Sequence, residues 1–271
     1  MPNGAVPNDG RLADTGGAER PSGGRKAPGQ LAIVLACLAV LTLGSPAWAG
    51  RPLETEDTGT LDPGRAELEL ALAVSDESGA RAWAGGAVLN VGVAPRLEAN
   101  IELGGAHLQR RDEPDQAGVT DLVVGLKHRL VDETEARPAL LANVRLRLPT
   151  GDPDRGLGSE GVDVVARLAL SKAFGPLTLT ANGGYAFVTA DRGLDVCLAS
   201  AAAEYQVTPA WTAVAEVVGS LGARAGPDVV VARAGLVHAL GRSVRLDAAV
   251  GAGLTRNSPD VVATVGVTIG F

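Results

Sequence analysis

From Arg65 to the C-terminus, apolar and polar residues alternate with a period of two, in runs of about eleven residues broken by turn-forming clusters. In the first run Ala66, Leu68, Leu70, Leu72 and Val74 fall on one face, with Arg65, Glu67 and Glu69 on the other. That is the signature of a strand with two chemically different faces. The pattern recurs over residues 81–91, 97–108, 119–130, 139–148, 162–171, 177–188, 196–205, 211–218, 229–240, 244–254 and 261–271, giving twelve predicted strands. No stretch holds a 3.6-residue period long enough for a substantial helix.

The connections alternate as well. Val93-Ala94-Pro95, Gly175-Pro176, Thr208-Pro209 and Gly241-Arg242 read as tight turns, whereas residues 110–118, 150–160 and 220–227 are longer and more polar. Transmembrane barrels of the bacterial outer membrane differ in this sense between their periplasmic and external ends. One strand parity carries Glu67, Glu69, Glu98, Glu102, Asp121, Lys127, Arg129, Arg145, Arg147, Asp163, Arg167, Glu216, Arg233, Arg245 and Asp247, and the other is almost purely Leu, Val, Ala and Ile. The predicted fold is therefore all-β, a transmembrane antiparallel up-and-down barrel of about twelve strands, closed because an open edge in hydrocarbon leaves backbone groups unsatisfied. Such a barrel has a backbone diameter of roughly 24 Å. The charged parity then lines the lumen, and those residues are the pore-lining candidates. A soluble secreted β-sandwich is the rival fold if the charged parity faces water instead.

Upstream, Arg25 and Lys26 precede the apolar run Leu31–Leu43, a Gly44-Ser45-Pro46 break and an Ala47-Trp48-Ala49 site. A basic flank, a short apolar core and a small-residue site make a secretory signal peptide, expected to be cut after Ala49. The expected organisation is a leader over 1–49, a short periplasmic segment over 50–64 and the barrel over 65–271, in the bacterial outer membrane. The formal charge of −7 argues against nucleic acid as a partner. Its two cysteines, Cys37 and Cys197, leave a single one after cleavage, so no internal disulfide is expected.

All seven aromatic residues after the leader lie near predicted strand ends: Trp83, Tyr185 and Phe187 toward one rim, and Phe174, Tyr205, Trp211 and Phe271 toward the other. Interfacial rings prefer those depths. The closing strand ends on Phe271, the kind of terminus read by the barrel-assembly machinery. Opposition of the acids on the first and third strands to Lys127, Arg129, Arg145, Arg147 and Arg167 suggests two charged walls that polarise a constriction. The competing reading is that neighbours such as Glu98 and Arg129 form salt bridges that plug the lumen.

Candidate chemistry is sparse. Gly151-Asp152-Pro153-Asp154-Arg155-Gly156 has the look of a calcium loop but lacks its terminal bidentate Glu, so these are read as turn residues. His107, His128 and His238 lack a nucleophile elbow or a local Ser/Asp grouping, and no catalytic residue, metal or cofactor is expected.

Three stretches carry a family resemblance: Glu54–Gly64 (ETEDTGTLDPG), Leu146–Asp163 (LRLPTGDPDRGLGSEGVD), and Gly251–Phe271, which contains GLTRNSPD before the closing strand. In these the chain resembles the outer-membrane transporter family of the meta pathway of phenol degradation. That resemblance implies a barrel passing small solutes, aromatic compounds among them. The expected function is a narrow channel whose partners are outer-membrane lipids and a small-molecule solute. A non-conducting structural or adhesion barrel with a salt-bridged lumen is the alternative.

Overall fold

The computed structural model describes residues 51–77, 79–223 and 227–271. The predicted signal peptide lies outside the described residues. From Ala66 onward the chain forms antiparallel strands β1 (Ala66–Glu77), β2 (Ala80–Ala94), β3 (Leu97–Arg110), β4 (Gln116–Val119), β5 (Leu122–Val131), β6 (Ala139–Leu148) and β7 (Asp163–Phe174). There follow β8 (Leu177–Phe187), β9 (Val196–Thr208), β10 (Trp211–Gly222), β11 (Val229–Ala239), β12 (Val244–Gly253) and β13 (Val261–Gly270). Apart from β4 and β5, which both pair with β3, each strand pairs with its sequence neighbours, and β1 pairs with β13 from Glu67 opposite Gly270 to Asp76 opposite Val261. The sheet is a closed barrel, so the sandwich alternative falls.

Short β4 pairs with β3, as does β5, so the two form one stave and the barrel has twelve. The predicted strand over 119–130 is interrupted at Asp121. Its carboxylate accepts hydrogen bonds from the backbone N–H groups of Thr150, Gly151 and Ser159 and from the Ser159 hydroxyl. Those donors belong to the β6–β7 loop, and holding them draws Asp121 out of the ladder. The loop folds inward, with Leu157 buried against Ala82 and Leu108. Asp152 caps a 3-10 turn over Pro153–Arg155 that ends on Gly156 at φ 71°, as expected of turn residues.

The alternation sorts as the sequence implies. Leu70, Leu72, Leu103, Leu168, Leu170 and Val265 lie exposed on the outside, while Glu69, Glu98, Glu102, Lys127, Arg145 and Glu216 are buried inside. An apolar exterior on a closed barrel is a surface for acyl chains. Phe174, Tyr205, Trp211 and Phe271 are exposed toward the end bearing the tight turns, with Trp211 stacked on His238 at 4.1 Å between centroids. Toward the loop end stands the Tyr185–Phe187 pair. The tight turns, the start of β1 and Phe271 share one rim, where Phe271 N–H donates to Ala66 O.

Candidate functional site

The lumen is not open at mid-height. Residues 51–61, expected as part of a short periplasmic segment over 50–64, instead cross the interior of the barrel, as their contacts with the wall show. The polar residues lining the wall are the reason: Arg51, Glu54, Glu56 and Asp57 of the segment each meet an opposite charge projecting inward.

At one end Arg51 makes a two-pronged pair with Asp247 on β12, Nε and Nη2 donating over 2.9 and 2.6 Å, and Nη2 also reaches Thr264 on β13. Gly266 sits beneath this guanidinium, where a Cβ would overlap it. Next, Glu216 on β10 accepts the backbone N–H groups of Glu54 and Thr55 and the Thr55 hydroxyl, the last at 2.7 Å. The Glu54 side chain pairs with Arg233 on β11, which also lies 3.3 Å from Glu216. Leu53 is buried on Ala202 and Val214.

Glu56 is the central residue. Asn182 on β8 accepts its N–H and donates to its carbonyl, at 2.6 and 2.8 Å, a side-chain imitation of strand pairing. Its carboxylate accepts from Asn143 on β6 and lies 2.7 Å from Lys127 on β5. Lys127 is also 3.5 Å from Asp57 and 3.8 Å from Glu98. The segment then leaves along β3, where Leu61 N–H donates to Glu98 and Arg129 reaches the Thr60 hydroxyl. At Gly92 on β2 the chain passes so close that any Cβ would strike Asp62. Deeply buried charges are tolerated chiefly when paired, and Arg51, Glu54, Glu56, Lys127, Glu216 and Arg233 each have an opposite charge within 4 Å.

Other pore-lining candidates have different company. Glu102 pairs with Arg145 across to β6, and Glu69 accepts from Asn90. Glu67 pairs with Arg245 at the turn-end rim, 3.1 Å apart and partly exposed. Asp163 accepts from the Thr189 N–H in the β8–β9 loop. Asp121 is engaged by the β6–β7 loop rather than presented to the lumen. Acids and bases thus meet as neighbours more than as facing walls. Arg147 and Arg167 line a pocket with Arg145, nearer the loop end.

Sequence reasoning missed the segment itself, and also Asn90, Asn143, Asn182 and Thr264 as its partners or neighbours. Two inward glycines, Gly92 and Gly266, are its signal in the sequence, since each leaves room for chain that no strand supplies. Also missed was the apolar inner wall toward the loop end, where Ala186 and Val196 are buried with Val165 and Leu198 against them.

Outside the membrane-spanning strands, Asp195 between β8 and β9 is fully buried and accepts from Arg192, Tyr185 and the Val188 N–H. The Arg192 hydrogen bonds hold its carboxyl down at about 2. In the β5–β6 turn, hydrogen bonds from Lys172 and the Ala173 N–H keep the Glu133 carboxyl below its ordinary value.

The barrel is similar to several solved structures. Over 79% of this chain and 98% of the other it matches the COG4313 outer membrane channel from Pseudomonas putida F1, at a TM-score of 0.63 and 17% identity. The KdgM porin matches over 75% of this chain and 99% of its own, TM-score 0.54 and 9% identity. The NanC porin matches over 74% and 98%, TM-score 0.53 and 9% identity. None of the curated protein sequences matches. The sequence model of the family described as "Putative MetA-pathway of phenol degradation" matches residues 49–271, a range that includes the whole barrel. The chain belongs to that family.

Proposed function

We propose that the protein is an outer-membrane channel for small solutes, closed at mid-height in this conformation by its own residues 51–61. The observation that carries this reading is the belt of ion pairs from Arg51–Asp247 through Glu54–Arg233 to Glu56–Lys127, which spans the lumen and is independent of the wall's backbone ladder. A segment held by side chains alone can leave without unfolding the barrel. Folds shared with an outer membrane channel and two porins support the same reading. The family description suggests aromatic compounds as solutes, and the apolar inner wall around Val196 offers such molecules a surface. The exterior belt takes outer-membrane lipids as its partner, and the terminal strand ending at Phe271 takes the assembly machinery.

The test is single-channel conductance in planar bilayers, comparing the mature chain with a variant lacking residues 51–61. The expected result is a several-fold rise in conductance and in the fraction of time open. Unchanged conductance in a variant that retains heat-modifiable gel mobility would favour the non-conducting structural barrel. Within an opened pore, reversing Arg145 and Arg147 to Glu is expected to move ion selectivity toward cations.

A further inference from the structure

The wall groups of the belt divide by what they touch on the segment. Glu216 takes the N–H groups of Glu54 and Thr55, Asn182 engages both polar main-chain groups of Glu56, and Glu98 takes the Leu61 N–H. Contacts of this kind hold an extended backbone whatever its side chains. Asp247, Arg233 and Lys127 meet the side chains of Arg51, Glu54 and Glu56 instead. Those three read charge: a base, then an acid three residues on and another five residues on.

The width of the bore sets the shape of the chain it holds. Asp247 on β12 and Asn143 on β6 stand six staves apart in a ring of twelve, on opposite sides of the lumen. Arg51 reaches the first and Glu56 the second. Five residue steps cover at most about 18 Å when extended, so the backbone between these two side chains must run nearly straight. A helix of five steps rises only about 7.5 Å and would leave one wall untouched.

All of these wall groups remain when the segment leaves. Asp247 then gives up the guanidinium that neutralises it, and Asn182 gives up both of its main-chain partners, losses that disfavour an empty belt. A small carboxylate can meet Lys127 or Arg233, but it brings neither the N–H groups that Glu216 and Asn182 take nor a base for Asp247. Another extended chain brings all of them. We propose that the belt is a binding site for extended oligopeptides in which a basic residue is followed three and five positions later by acidic ones, residues 51–61 being its tethered ligand. This inference rests on the channel reading for an accessible lumen and adds a peptide supplied from outside the chain as an occupant of the closing site.

The experiment titrates the peptide RPLETEDTGTL, the sequence of residues 51–61 blocked at both ends to remove terminal charges, into the refolded mature chain lacking those residues, in neutral-detergent micelles and by calorimetry. Saturable binding of one peptide per barrel is expected. The same residues in reverse order, which exchange donors for acceptors along the backbone and carry the base to the wrong wall, should bind about tenfold more weakly, as should the forward peptide to Asn182→Ala. Lys127→Gln should weaken the forward peptide more than it weakens one carrying Glu56→Gln. Equal binding of forward and reversed peptides to a barrel with heat-modifiable mobility would overturn the site, and so would the absence of saturable binding.

A second measurement needs no deletion. In the full mature chain carrying Thr55→Cys and Cys197→Ala the tethered segment acts at an effective concentration in the millimolar range, so several millimolar forward peptide should speed thiol labelling of position 55 about twofold or more. Acceleration no greater than with the reversed peptide would overturn the site. Peptide binding without a conductance rise on removing 51–61 rejects the channel and leaves this site; a conductance rise without peptide binding does the reverse.

Discussion

The lumen holds two kinds of buried cation. Lys127, in the mid-height belt, touches Glu56, Asp57 and Glu98 within 4 Å, whereas Arg167 on β7 has a buried Nη1 atom with no hydrogen-bond partner among the described residues. Both sit inward on neighbouring regions of one wall, and sequence parity treats them alike. What separates them is contact, since carboxylates of the 51–61 segment touch Lys127 and stand farther from Arg167. Paired charge closes the barrel at mid-height, and Arg167 is left without a touching carboxylate among the described residues.

Truncating Lys127 to Ala leaves Glu56 and Glu98 buried against each other, which is expected to cost about 3–5 kcal/mol. The loss should register as segment release, read by thiol labelling of Thr55→Cys in a Cys197→Ala background. Persistently unlabelled protein would show that the belt does not depend on this charge. Next in size, Gly266→Val places two methyl groups where the Arg51 guanidinium lies and is expected to weaken the Arg51–Asp247 anchor by about 1–3 kcal/mol. Labelling should rise at position 53 more than at 60, since Leu61 and Thr60 are held by Glu98 and Arg129 at the other end.

Arg167→Gln supplies the contrasting case. Removal of a cation lacking an ion pair is expected to leave stability unchanged or raise it by about 1 kcal/mol, measured by urea unfolding in vesicles. A loss comparable to that of Lys127→Ala would erase the distinction between the two regions. The smallest effect lies outside both. Asp195 has its carboxyl lowered from the ordinary 3.8 to about 2 by Arg192, so the stabilisation it gives the β8–β9 loop is complete above about pH 4 and declines as pH falls toward 2. Hydrogen exchange at the Val188 N–H, which donates to Asp195, should accelerate over that window.

Much of this molecule was legible as pattern. Period-two alternation located each stave, including β9, where a run of alanines hides the contrast between faces, because register with β8 and β10 fixes which residues turn inward. Strand parity also placed Glu98, Lys127, Glu102 and Arg145 inside. It could not say that they pair with one another, since pairing depends on which strands are neighbours and how far each is staggered. Residues 51–61 have neither alternation nor a turn signal, and nothing local distinguishes a segment bathed in periplasm from one threaded through a lumen. Asp121 reads as one more inward acid, yet its role depends on a loop thirty residues onward. Apolar residues on the inner face, Val165, Val196 and Leu198, were invisible for the opposite reason: alternation assigned them a side but not a purpose.

The anchoring of Arg51 to Asp247, 196 residues apart, also dictates an order of events. The N-terminal residues leave the secretion machinery first, yet Asp247 and Thr264, on the last two strands, are the last groups to be presented. A nascent barrel still lacking its final hairpin can hold residues 54–61 on earlier strands but has no group to fasten Arg51. The stopper's outermost anchor is thus set only as the cylinder closes.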